Sequence, residues 1–171
     1  MIALIPFTSQ DFEDFISWID SEELLVTIAG NVFSYPITRE QLQKYLEIEN
    51  SHAFTIIDTE RNKKIGHAEL VLSGKDMYKI DKLIIGDKDN RGKGIGEKVI
   101  NKLLYFSFNN LHALIVELNV FDWNTAGIRC YKKCGFVINE DKTADFQIGD
   151  KHWTALNMTI SVADWSMKHE N

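Results

Sequence analysis

Apolar residues recur along the chain with the period of helices in some segments and of strands in others. The N-terminal part predicts a short strand over Met1–Phe7, a helix that starts after Thr8 and a second helix that starts after Thr38. A capping-box pattern marks both helix starts, since Asp11 follows Thr8 by three residues and Gln41 follows Thr38 by three. The chain is therefore expected to open with one strand and a helical pair.

The segment from Glu22 to Pro36 lies between those two helices and shows no clear period. It contains six large apolar residues: Leu24, Leu25, Val26, Ile28, Phe33 and Tyr35. We interpret it as irregular, and two roles remain open. It forms a wall of a substrate site, or it belongs to a plain helical hairpin that covers a sheet.

The pattern changes to that of strands from residue 53 onward. Six further strands are predicted, over Ala53–Thr59, Ile65–Leu72, Met77–Ile85, Ala113–Val120, Phe136–Asn139 and Lys151–Ser161, the last two as antiparallel neighbours. Two helices interrupt them: one begins near Ile95, and a shorter one is capped by Asn124 and stopped by Gly135. No repeat or linker divides the chain, so residues 1–171 are predicted to form a single α/β domain.

Composition and charge narrow the class of protein. A net charge of -6 disfavours nucleic acid as a partner. No apolar stretch reaches the roughly 18 residues of a membrane span. The N-terminal segment lacks the basic region of a secretory signal, so a cytoplasmic location is expected. Cys130 and Cys134 are the only cysteines; without a second pair they predict reduced structural thiols and no metal site.

A glycine-rich loop joins the apolar run before it to the helix after it. Gly92, Gly94 and Gly96 permit a close approach of the backbone, and Arg91 and Lys93 add positive charge. Because the first amides of a helix have no internal partner, they attract anions. We interpret the loop as a pyrophosphate cradle; the alternative is a strand-to-helix connection with no ligand. Its spacing fits neither a P-loop nor a dinucleotide fingerprint.

Two motifs give the chain a resemblance to a known family. The run Arg91-Gly92-Lys93-Gly94-Ile95-Gly96 is similar to the Gln/Arg-x-x-Gly-x-Gly/Ala loop of the GNAT N-acetyltransferases. The run Leu118–Asn124, continued by Tyr131 and by Gly135 with its following phenylalanine, resembles the strand, loop and helix signature of the same family. The segment Tyr35–Thr38 looks most like the branch that contains the ribosomal-protein N-terminal acetyltransferases.

The resemblance implies a fold and a cosubstrate. The fold is α/β (α+β), a mixed, mostly antiparallel sheet of about seven strands with helices on both faces and a V-shaped splay between the fourth and fifth strands. Acetyl-CoA is the expected cosubstrate. Its pantetheine lies along the fourth strand, and its pyrophosphate rests on the glycine loop. The cofactor-binding residues implied are Leu83, Ile84, Ile85, Arg91, Gly92, Lys93, Gly94, Ile95, Gly96, Glu97 and Asn124.

The same resemblance implies catalytic roles. Tyr131 occupies the general-acid position, and Asn119 stands where relatives that act on protein N-termini often carry a glutamate. As general base we predict Asp81 first and Glu69 second, with Glu117 as a further candidate. The expected function is direct transfer of the acetyl group, in a ternary complex, to a primary amine of a small molecule or of a peptide or protein N-terminus. The alternative is a non-catalytic acyl-CoA-binding or sensing module; either would be a monomer or a homodimer.

Overall fold

The computed structural model describes residues 1–86 and 92–169, and the seven strands within them form one sheet. The strands are β1 (Ile2–Pro6), β2 (Ser51–Asp58), β3 (Lys63–Gly74), β4 (Met77–Ile85), β5 (Ile115–Phe121), β6 (Val137–Ile148) and β7 (Lys151–Ser161). The helices are α1 (Phe12–Trp18), which follows a 3-10 turn at Ser9–Asp11, α2 (Glu22–Ala29), α3 (Arg39–Leu46), α4 (Ile95–Asn109), α5 (Thr125–Cys134) and α6 (Val162–His169).

The sheet is mixed and mostly antiparallel, as predicted. Its strand order is β1-β2-β3-β4-β5-β7-β6, and β4 with β5 is the parallel pair among the described strands. That pair is registered from Met77 opposite Ile115 to Ile80 opposite Leu118, and no further pairing follows within the described residues. Both strands nevertheless continue, to Ile85 and Phe121. The expected splay between the fourth and fifth strands is therefore confirmed.

Helices cover both faces of the sheet. On one face, α4 contributes Val99, Ile100, Leu103 and Leu104 to the larger apolar core. On the other face, α1, α2 and α3 build a second core that includes Phe15, Leu25 and Leu42 and reaches β4 at Ile84. None of the helices in the described ranges has the length and apolar character needed to cross a bilayer.

The helix starts at Thr8 and Thr38 are confirmed. Thr8 and Asp11 form a complete capping box. Thr38 accepts a hydrogen bond from the amide of Gln41, whereas the Gln41 side chain bonds to the backbone of Ser34 and Pro36 rather than returning to Thr38.

The prediction of an irregular segment after Glu22 was wrong over its first half, because α2 occupies Glu22–Ala29. Ser21 caps this helix by accepting a hydrogen bond from the amide of Leu24, and Gly30 ends it at a φ of 57°. Val26, Thr27 and Ile28 have modest helix propensity. Tertiary packing of Leu25 and Ala29 compensates for that weakness, and this contribution is not visible in the local pattern.

The C-terminal third also differs from the prediction. Strand β6 runs to Ile148 rather than ending at Asn139, with an irregularity in its pairing to β7 between Asn139 and Thr143. Helix α6 was not predicted; its start is capped by Ser161, which exchanges two hydrogen bonds with Asp164.

A bulge in β4 lies where the sheet begins to open. Glu69 of β3 is opposite Asp81 and His67 is opposite Ile84, so one residue of β3 faces two residues of β4. Lys82 occupies this irregularity with a φ of 48°, a left-handed conformation that side chains rarely adopt. Its side chain consequently contacts Glu69 and Asp81.

Candidate active site

A cavity of about 740 Å³ lies in the splay, between the end of β4 and the first turns of α4 and α5. Its β4 wall is formed by Leu83, Ile84 and Ile85, the three residues predicted to border the cosubstrate. Gly92, Gly94, Ile95, Gly96, Glu97 and Asn124 line it as well. Ten of the eleven predicted cofactor residues fall within the described ranges, and nine of these line this one cavity. Lys93 is exposed beside it, and Arg91 lies outside the described residues.

The glycine loop has the backbone geometry of an anion site. Gly92 and Gly94 have φ of 74° and 73°, and Gly94 precedes the first helical residue, Ile95. Apart from the chain neighbours of each glycine, no heavy atom of the described residues lies within 4 Å of the position that a Cβ would occupy at Gly92 or Gly94. The first amides of α4 therefore lie beside an open space large enough for a phosphate, at the positive end of the helix dipole. The loop fits a pyrophosphate.

Helix α5 forms the opposite wall of the cavity. Asn124 caps it, accepting a hydrogen bond from the amide of Gly127 at 3.0 Å, and Gly135 ends it at a φ of 105°. Tyr131 lines the cavity, and its hydroxyl has no hydrogen-bond partner within the described residues. Burial raises the pKa of the phenol, and the neighbouring Cys130 and Cys134 raise it further. Tyr131 consequently remains protonated at neutral pH, the state that a proton donor requires.

The two cysteines share one face of α5, as their spacing predicted, and both are free thiols. Cys130 is half-buried and lines the cavity, whereas Cys134 is fully buried. The Cys134 thiol lowers the pKa of Cys130 by hydrogen bonding, and this effect exceeds the opposing effect of burial. The same interaction, with burial, raises the pKa of Cys134.

A second cavity, of about 320 Å³, lies beside the first, under α2 and the turn that follows it. Ile28 of α2 lines both cavities. Strand β4 borders both as well, through Asp81 in the smaller cavity and through Leu83–Ile85 in the larger one. Asn119 of β5 also lines the smaller cavity. Two of the four predicted catalytic residues therefore share this space, which we call the acceptor cavity.

Glu69 lies elsewhere. Its side chain is 1% exposed and lines neither cavity. One carboxylate oxygen accepts a hydrogen bond from Ser51, and the other lies 2.5 Å from Lys82 Nζ. Lys82 Nζ also lies 3.2 Å from Asp81 Oδ2. Burial lowers the pKa of Lys82, but the charges of Asp81 and Glu69 outweigh it and the pKa is raised overall. Lys82 therefore joins the two predicted bases as a buried cation between them.

A buried aromatic group lies behind this ion triad. The Tyr45 hydroxyl is 3.1 Å from His67 Nε2, and Lys82 Nζ lies 5.2 Å from the centre of the Tyr45 ring. His67 is fully buried, and its Nδ1 has no partner within the described residues. Burial and the charge of Lys82 lower the pKa of His67 to about 3, so the imidazole is neutral. The contact between Tyr45 and His67 therefore joins two neutral groups in the interior of the protein.

Asn119 belongs to a polar network on β5, β6 and β7. Its Oδ1 accepts a hydrogen bond from Asn157 Nδ2 at 3.0 Å. Asn157 also donates to Glu117, which lies 2.8 Å from Lys142 Nζ. Burial raises the pKa of Glu117, but these hydrogen bonds outweigh it and the pKa is lowered. Glu117 is 4% exposed and does not line the acceptor cavity, so it forms part of the support for Asn119.

Sequence reasoning missed several residues of the site. Lys79 lines the acceptor cavity, with its Nζ 3.6 Å from Asp81 Oδ1. Lys82 was also missed, although a lysine that follows Asp81 and directly precedes the apolar run Leu83–Ile85 is a signal of buried pairing. Residues 26–32 form one wall of the acceptor cavity. Their position agrees with the hypothesis that this segment forms a wall of a substrate site. Ser21 and Gly30, the two ends of α2, were the signals that could have identified this wall as a helix.

Comparison with known proteins agrees with this geometry. The family model described as "Acetyltransferase (GNAT) domain" matches residues 2–137. An N-acetyltransferase 9-like protein of Nematostella vectensis is 20% identical over 182 residues, covering 98% of this chain and 92% of that protein. The spermidine N-acetyltransferase of Vibrio cholerae, solved with CoA and spermine, superposes with a TM-score of 0.81 at 20% identity, covering 96% of this chain and 98% of the other. An aminoglycoside acetyltransferase solved with coenzyme A gives 0.76 at 20% identity, covering 99% of both chains.

The chain belongs to the GNAT acetyltransferase family. The predicted fold, activity and cosubstrate are thereby confirmed: it is an acyltransferase that uses acetyl-CoA to acetylate an amine.

Proposed function

We propose that the chain transfers the acetyl group of acetyl-CoA directly to a primary amine, with both substrates bound at once. The observation that carries this proposal is that the two cavities share a wall at the splay. Ile28 lines both, and β4 passes from one to the other between Asp81 and Leu83. An amine in the smaller cavity can therefore reach a thioester in the larger one without a covalent enzyme intermediate.

In the proposed cofactor site, the amides of Gly94 to Glu97 hold the pyrophosphate. Leu83 and Ile84 border the pantetheine in the space that β5 leaves when it diverges after Leu118. Asn124 lies beside it, in addition to capping α5. Acetyl-CoA, when bound, supplies an acyl group that is already activated for attack. We expect Lys93, which is exposed beside the cavity, to add positive charge at its entrance.

We propose Tyr131 as the general acid. Its hydroxyl carries a proton at neutral pH and lines the cavity between the splayed strands. Donation from a phenol of raised pKa has a free-energy cost. Since the departing thiolate is desolvated in the same cavity, its pKa rises as well and the cost is reduced.

Asp81 is the proposed proton acceptor for the amine. It is the one carboxylate among the described residues that line the acceptor cavity, and its side chain is 20% exposed. Glu69, the second prediction, is placed here as the partner that holds Lys82 rather than as the base. Asn119, an amide, orients the acceptor or a water but takes no proton.

The remaining expectations extend this proposal. We propose that residues 1–171 act as one domain, in the cytoplasm, as a monomer or homodimer with neither nucleic acid nor membrane as partner. Small amines and peptide N-termini are both proposed acceptors, the latter because the segment Tyr35–Thr38 resembles the ribosomal-protein branch. Size-exclusion chromatography with light scattering measures the oligomeric state, and a trimer or larger assembly would contradict that part.

The test is a coupled measurement of binding and turnover. Purified protein is titrated with acetyl-CoA by calorimetry, and thiol release is then followed with a panel of amines and free-N-terminus peptides. Saturable binding with amine-dependent thiol release, and an acetylated product in the mass spectrum, is expected. Binding without turnover on any amine would favour the acyl-CoA-binding module instead, and absence of binding would defeat both.

A further inference from the structure

The charges of the acceptor cavity are balanced. Among the described residues that line it, Lys79 and Asp81 are the ionisable ones, and the remaining wall is mostly apolar, including Val26, Phe121 and Phe146. Lys79 Nζ lies 3.6 Å from Asp81 Oδ1, and the two side chains are 26% and 20% exposed. The cavity thus presents one cation and one anion side by side on an apolar background.

The carboxylates around this cavity are already matched by lysines. Lys82 lies between Asp81 and the buried Glu69. Glu117, on the adjacent strand, is paired with Lys142. An acceptor with several ammonium groups would therefore find no uncompensated carboxylate among the described residues of the wall, and its extra charges would meet Lys79.

We infer that the acceptor is an α-amino acid with an apolar side chain, whose carboxylate binds Lys79 and whose amine binds Asp81. This inference rests on the proposed acetyl transfer and narrows its acceptor from small amines and peptide N-termini in general to a free amino acid. The ammonium and carboxylate groups of an amino-acid zwitterion are attached to the same carbon, so its opposite charges lie close together, as do those of Lys79 Nζ and Asp81 Oδ1 at 3.6 Å. A partly exposed ion pair contributes little to stability, so the ligand can insert into it at small cost. The side chain then lies against Phe121 and Phe146, which line the same cavity.

The inference distinguishes this chain from the structural neighbour that was solved with spermine. A polyamine requires a cavity with a surplus of negative charge, whereas the described wall here has none. The volume of about 320 Å³ is at the small end of the range for small-molecule sites, as suits an amino acid.

The experiment compares three acceptors of one shape: phenylalanine, phenylalaninamide and phenethylamine, with spermidine as a fourth. Thiol release gives kcat/KM for each, expressed per unprotonated amine because the three amines differ in pKa. Phenylalanine is expected to exceed phenethylamine and phenylalaninamide at least tenfold, and spermidine to be the poorest. A preference for spermidine, or equal kcat/KM for the first three, would overturn the inference.

Two variants test the role of Lys79. Lys79→Met is expected to reduce the ratio of kcat/KM for phenylalanine to that for phenethylamine at least tenfold. Lys79→Glu is expected to invert the preference in favour of phenethylamine and spermidine. An unchanged ratio in either variant would contradict the inference. Titration with acetyl-CoA is run first: if the cosubstrate does not bind, the proposed acetyl transfer fails, whereas binding with the wrong acceptor preference refutes only the amino acid.

Discussion

Replacing Lys82 with methionine should destabilise the protein strongly, because it leaves the carboxylate of Glu69 buried without its cation. The two side chains are 5% and 1% exposed and their charged atoms lie 2.5 Å apart. Removing one partner of such a pair costs about 3–5 kcal/mol. For a chain of this size, that corresponds to a decrease in Tm of roughly 6–20 °C.

The assay is urea and thermal unfolding of three variants and the wild type. Lys79→Met is the matched control, since Lys79 also pairs with Asp81 but is 26% exposed, and its loss should change stability by less than about 1 kcal/mol. In the double variant Lys82→Met/Glu69→Gln, the neutral amide keeps its contact with Ser51, and about 2 kcal/mol of the loss should return.

Equal effects of Lys82→Met and Lys79→Met would refute this reasoning. A second outcome bears on catalysis. If Glu69→Gln abolished turnover while leaving stability unchanged, Glu69 would be the general base and its assignment as a structural partner of Lys82 would be wrong.

Three further predictions follow from the site. Tyr131→Phe should lower kcat about 100-fold or more with little change in acetyl-CoA affinity, since the ring remains and the proton is lost; unaltered kcat would remove Tyr131 as the acid. His67 has a pKa of about 3 in the native protein against 6.5 ordinarily, so its contribution to stability is complete above pH 6.5 and falls as the pH decreases toward 3. Between pH 7.5 and 5 the wild type should lose about 2 kcal/mol more than His67→Gln, and parallel stability curves would contradict this. Cys130 should be alkylated by iodoacetamide much faster than Cys134 and be protected by acetyl-CoA, whose sulfur is blocked as a thioester, as read by peptide mass spectrometry; unprotected alkylation would place Cys130 outside the cofactor site.

The features that could be predicted from the sequence are those that depend on residues close together in the chain. Thr8, Thr38 and Asn124 cap helices where the pattern indicated, because a cap is a hydrogen bond between residues two or three apart. The glycine loop was predicted for a similar reason. Glycine adopts the positive φ seen at Gly92 and Gly94 without a steric penalty, whatever lies around it in the fold.

The features that were missed depend on partners distant in the chain. Helix α2 contains β-branched residues and is stabilised by burial of Leu25 and Ala29. The bulge at Lys82 brings its ammonium group to Glu69, which lies thirteen residues earlier on another strand. Asp81 was predicted as the first candidate base and Glu69 as the second, but only their positions in the sheet show that Asp81 lines the cavity and that Glu69 lies beneath it. Spacing along the chain contains no such information.

Acetyl-CoA can bind as proposed only if the glycine loop and the start of α4 hold its pyrophosphate. A carboxylate at Gly96 would project toward Cys130 and into the cavity, while an acidic residue in the first turn is itself favourable for the helix. Lys102→Glu is the control. Lys102 is exposed on the same helix and does not line the cavity, and its replacement by glutamate changes the net charge by more than Gly96→Glu does.

Calorimetric titration of acetyl-CoA into wild type, Gly96→Glu and Lys102→Glu is the direct measurement. We predict saturable binding to the wild type and to Lys102→Glu, and a loss of at least 100-fold in affinity for Gly96→Glu with its unfolding temperature retained. Equal affinity of all three proteins, or no binding to the wild type, would contradict the account.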